Sequence, residues 1–130
     1  MPLRPGASRE DTFVVDERRL TDVGGQLAVH VLSTPSMIAM MARSASILAK
    51  EQLPDGKATV GFEVCVKHVA AALEGASCTV SAKLREVIDA RKLRFEVEVR
   101  EGDRTIGLGT HERRVVDAAS HAGSAGRQTG

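Results

Sequence analysis

The chain has 130 residues, enough for one domain with a real core, and its 18 basic and 17 acidic residues leave a formal net charge of +1. With no basic excess to neutralise phosphates and no Trp or Tyr to stack on bases, nucleic-acid binding is disfavoured. No apolar run is long enough to span a bilayer, and the first ten residues lack the apolar segment of a secretory signal, so a cytoplasmic protein without a membrane partner is expected.

Residues 1–10 are polar and contain Pro and Gly, and read as a flexible lead. A first strand is expected from Asp11 to Leu20, centred on Thr12-Phe-Val-Val15. Residues 21–31 carry Gly24-Gly25 and little periodicity, and read as a connecting loop. The one long helical pattern follows, up to Leu53. Thr34 is placed to cap it and Pro35 to open its first turn, and Pro54-Asp55-Gly56 stops it. Met37, Ile38, Met40, Met41, Ala45, Ile47 and Leu48 make it apolar nearly all round, which predicts burial on most sides.

Four further strands are expected between the helix and the end of the domain. Lys57–Val69 alternates with Val60, Phe62, Val64, Val66 and His68 on one face and Gly61, Glu63, Cys65 and Lys67 on the other. Residues 76–89, 93–100 and 105–116 follow, separated by turns at Asp89-Ala-Arg-Lys92 and Glu101-Gly-Asp-Arg104. Gly107 and Gly109 are spaced for close approach of another backbone. Residues 11–117 thus form the domain, and residues 118–130, small and polar, read as a disordered tail. Strands joined by tight turns must be antiparallel, so the predicted class is α+β: about five antiparallel strands curled around one helix. Such a sheet leaves edges that a two-fold homodimer would pair. Cys65 and Cys78 lie in apolar strand patterns and read as buried thiols.

Two positions stand out chemically. His68 ends an apolar strand face, so it is either a base tuned by burial or a satisfied core histidine. Thr34 serves as a cap, as a site hydroxyl, or as both, since it fixes a helix end whose free amides can stabilise an oxyanion. A metal site is not expected: Cys65 and His68 point to opposite strand faces, and no other Cys/His pair has ligand spacing. No cofactor motif is present either.

The element order, together with Ser33-Thr34-Pro35-Ser36-Met37, Val60-Gly61-Phe62-Glu63-Val64-Cys65-Val66-Lys67-His68, Glu74-Gly75 and Ile106-Gly107-Leu108-Gly109-Thr110-His111-Glu112-Arg113, resembles the hotdog-fold thioesterases, and more narrowly the fluoroacetyl-CoA-thioesterase-like family. That resemblance implies a homodimer with its site between subunits, near the helix N-terminus. It implies catalytic roles for Thr34 and His68, with Gly61 and Arg113 matching substrate-side positions. Gly61 is equally a packing glycine, and Arg113 equally a solvated strand arginine. The family's helix glutamate falls on Ala42, and the first acidic residue on the helix is Glu51. The expected activity is hydrolysis of a small or medium acyl-CoA thioester, with His68 as base and the helix N-terminus as oxyanion site. The alternative is a degenerate protein that binds acyl thioesters or small acids without cleaving them. A lyase or isomerase step on His68 ranks last.

Overall fold

The computed structural model describes residues 3–120. Its elements are β1 (Ser8–Val14), a 3-10 turn (Glu17–Arg19), β2 (Leu20–Thr21), β3 (Val31–Leu32), α1 (Thr34–Glu51), β4 (Lys57–His68), β5 (Ser77–Ile88), β6 (Lys92–Glu101) and β7 (Arg104–Asp117). Five strands form one antiparallel sheet in the order β1-β5-β6-β7-β4, with β1 and β4 at its edges. The concave face packs on α1 through Met37, Met41, Leu48, Val80, Leu84, Leu93, Phe95 and Val99, all buried. This is the α+β hotdog arrangement expected from the sequence.

The differences from expectation have physical causes. β1 begins at Ser8 and stops at Val14, because its polar start pairs along β5 from Ser8↔Lys83 to Val14↔Ser77. Arg9 there bonds both Asp11 and Glu51, tying the strand to the end of the helix. The 21–31 segment is bracketed by a short hairpin of β2 and β3. That hairpin pins the helix entry: Leu32 N–H donates to Ala72 O at 2.8 Å and Ser33 N–H to Arg19 O at 2.8 Å. The expected tail lies outside the described residues from position 121 onward.

Two expectations about the helix are corrected. Its cap is Ser33, whose Oγ accepts from Ser36 N–H at 3.1 Å, so Thr34 is the first helical residue and Pro35 the second. The helix also buries one stripe, Met37, Met41, Ser44, Ala45, Leu48 and Ala49. Ile38, Met40 and Ala42 are half-buried and Ala39 is exposed, because the sheet covers one side only.

The faces of β4 are corrected as well. Gly61 pairs with Arg113, but Glu63 pairs with Glu112, so Phe62 is an inserted residue. A bulge of this kind reverses which way the following residues point relative to strict alternation. Gly61 therefore shares the concave side with Val64, Val66 and His68, whereas the alternating pattern assigned it to the opposite face. Phe62 (58 % exposed) and Val64 (42 %) are uncovered, because β4 is an edge strand. Cys65 faces outward and is exposed, contrary to expectation, while Cys78 is buried.

The expected close approaches are present at the β7 glycines. A Cβ at Gly107 would overlap the Met37 sulfur, and one at Gly109 would overlap the Cys65 carbonyl and lie 2.6 Å from Val66 Cα. Gly109 meets backbone, which cannot swing aside. We expect Gly109→Ala to lower stability by about 1–3 kcal/mol through overpacking, read as a lower urea midpoint.

Candidate active site

The corrected cap places Thr34 beside His68. With Ser33 doing the capping, the Thr34 hydroxyl is free to turn outward, and its Oγ1 lies 2.7 Å from His68 Nδ1 at the end of β4. The pair sits in a shallow hollow of about 360 Å³, with Thr21, Val31, Leu32 and Val69 among its walls. Burial pushes the His68 imidazole below its ordinary value, with the Ala70 backbone partly opposing the shift. A neutral imidazole with one nitrogen on Thr34 keeps its other nitrogen for a proton.

The helix end offers less than a full turn of amides. Pro35 has no N–H, Ser36 N–H is held by the Ser33 cap, and Met37 N–H donates to Ser33 O at 3.0 Å. Among the described residues, the Thr34 amide is the first-turn donor left without a partner.

Gly61 and Arg113 form a second group. Arg113 is 9 % exposed. Its Nε donates to Thr59 Oγ1 at 2.8 Å and its Nη2 to Thr59 O at 3.0 Å, while Nη1 lies 3.2 Å from His111 Nε2. His111 Nδ1 lies 2.9 Å from Glu63 O. A carbonyl can only accept, so Nδ1 carries the proton and Nε2 accepts from Arg113. Burial is the main cause holding the His111 imidazole below its ordinary value, with the Arg113 charge adding to it. Burial also draws Arg113 down from its usual value. Gly61 leaves this guanidinium uncovered: a Cβ there would stand 3.7 Å from both Arg113 Nη1 and His111 Cε1.

Within one chain the two groups are apart. His68 pairs with Gly107 and Gly61 with Arg113, and six residues of β7 span about 20 Å. Ala42 is half-buried on α1, about 12 Å along the axis from Thr34. Glu51, the first acidic residue on the helix, is engaged by Arg9 at 2.8 Å. His111 was not singled out from the sequence. Its signal is its two-residue spacing from Arg113, but only the bulge opposite shows that both face Gly61. Among the described residues, no group of three or more His, Cys, Asp or Glu could hold a metal ion, and no helix is long and apolar enough to cross a membrane.

The family model for fluoroacetyl-CoA-specific thioesterases matches residues 15–119. The chain belongs to that family. A fluoroacetyl-CoA thioesterase from Streptantibioticus cattleyicolor is 36% identical over 87 residues, which take in 67% of this chain and 62% of that relative, less than two thirds of its length. A solved variant of a fluoroacetyl-CoA-specific thioesterase, in complex with fluoroacetate and CoA, superposes with a TM-score of 0.82 at 29% identity, covering 92% of this chain and 99% of that one. A hot-dog-like protein from Thermanaerovibrio acidaminovorans superposes with a TM-score of 0.88 at 20% identity, covering 97% and 93%, and speaks for the fold alone. Thr34, His68 and Ala42 all lie within the residues that the family model matches.

Both imidazoles have a proton affinity lowered by folding. The unfolded chain then binds more protons near their ordinary value of 6.5, so their contribution to stability is complete above it and is lost as pH falls below it. We expect the urea midpoint to drop between pH 7 and pH 5, and His111→Gln to flatten that dependence.

Proposed function

We propose that the chain is an acyl-CoA thioesterase that hydrolyses small acyl thioesters as a cytoplasmic homodimer. The observation that carries this reading is the 2.7 Å contact between Thr34 Oγ1 and His68 Nδ1 at a helix N-terminus, in a chain of thioesterase family. In this reading Nδ1–H donates to Thr34, leaving Nε2 to take a proton from water as that water attacks the thioester carbonyl. The Thr34 amide and the positive end of the helix stabilise the oxyanion. Collapse breaks the C–S bond, and the CoA thiolate recovers the proton from His68, giving a carboxylic acid and free CoA thiol.

The edge strand supports the homodimer. β4 carries an unpaired backbone edge beside exposed Phe62 and Val64, the surface that strand-to-strand pairing removes. A two-fold antiparallel pairing centred near Val64 brings Gly61 and Arg113 of one subunit toward His68 of the partner subunit. The site then combines both groups across the seam.

The absence of a helix carboxylate at Ala42 favours a second reading, a protein that binds acyl thioesters without cleaving them. Thiol release over a panel of short acyl-CoAs separates the two. We expect slow turnover, lowered roughly a hundred-fold or more in His68→Ala and raised in Ala42→Glu. No release from any ester, together with thermal stabilisation by CoA esters, decides for the binder. Val64→Glu places like charges across the seam; we expect monomers in sedimentation and loss of turnover together.

A further inference from the structure

Arg113 is not balanced by any acid. Among the described residues, no Asp or Glu oxygen lies within ion-pairing distance of it. Its three hydrogen-bond partners, Thr59 Oγ1, Thr59 O and His111 Nε2, are all neutral. The other strongly buried ion, Glu112 (5 % exposed), is treated differently. It accepts from Arg94 at 3.1 Å and Arg114 at 2.8 Å on the opposite sheet face, so it has nothing to offer Arg113. Glu63 reaches the group through its backbone carbonyl alone.

Counting donors sharpens the point. A guanidinium has five N–H groups in a planar fork. One on Nε, one on Nη1 and one on Nη2 are used. One N–H on each terminal nitrogen is left for an anion such as a carboxylate to accept. Gly61 keeps the approach to Nη1 open. A buried charge with unused donors is costly until an opposite charge arrives. Ala42 adds no carboxylate of the protein's own.

From this we infer that Arg113 receives a carboxylate on the acyl group, so that the preferred substrates are CoA thioesters of short dicarboxylic acids. The inference rests on the thioesterase reading and deepens it. The thioester carbonyl lies at Thr34 and His68 of one subunit, and the far carboxylate reaches over Gly61 of the other to the guanidinium fork.

Malonyl-CoA and succinyl-CoA are compared with propionyl-CoA and butyryl-CoA, similar in chain length but uncharged at the acyl end. We expect kcat/KM on the order of ten- to a hundred-fold higher for the carboxylated esters, the range of one charge-assisted contact. In Arg113→Gln that ratio should fall to near one. A wild-type ratio at or below one overturns the inference while leaving the thioesterase reading intact, and it needs no variant to fold. If no ester releases thiol, the thioesterase reading fails, and the same ratio is read as Kd by calorimetry on the same four esters. Tighter binding of the carboxylated pair then upholds the inference, and equal or weaker binding overturns it.

Discussion

One inserted residue governs the inner face of the edge strand. Without the bulge at Phe62, Gly61 would point outward and Val60 would face the helix. The slip instead turns Gly61 toward Arg113 and His111. Beyond it, Val64, Val66 and His68 keep the inward orientation that carries the imidazole to the helix end. Gly61 and His68 thus share the concave side, which strict alternation along the whole strand would not allow, since the two lie an odd number of residues apart. The cost is local: a ladder step is lost where Phe62 bulges, on an edge strand that can accommodate it.

The charge pattern of the domain is lopsided across the sheet. Outside, acids and bases are matched: Arg94 bridges Glu86 and Glu112, Arg114 joins Glu112, and Arg85 meets Glu96. These exposed or rim pairs contribute modestly to stability. Inside, Arg113 rests on neutral acceptors. A chain of net charge +1 could have matched every arginine. Among the described residues, Arg4, Arg43 and Arg91 also form no ion pair, but they are exposed, so Arg113 is the buried one of the unmatched arginines.

Much of this was legible before any coordinates. The helix, the four long strands and their turns follow from periodicity and from Pro and Gly punctuation, and the glycine pair on β7 announced its close contacts. What escaped detection was of three kinds. The Ser33-Thr34 choice of cap is degenerate, since both side chains can accept an amide hydrogen bond and sequence alone does not break the tie. The bulge is silent, because a period-two reading continues smoothly through Gly61-Phe62-Glu63. Pairing also recruits residues that pattern does not mark: Ser8-Arg9-Glu10 is polar, yet it is a strand because β5 offers it a partner. The site inherits these gaps. Thr34 and His68 were found as residues, but their direct contact depends on which hydroxyl caps. Gly61 and Arg113 were found, but their shared face depends on the slip.

The Phe62 ring is not left bare. The Arg114 guanidinium lies 3.6 Å from its centroid, and Arg114 is itself held by Glu112. A positive charge laid over an aromatic at a sheet margin discourages indiscriminate strand addition, as does the kink beside it. The chain therefore carries, in this ring and its cationic cover, its own guard against polymerising into open-ended ribbons along β4.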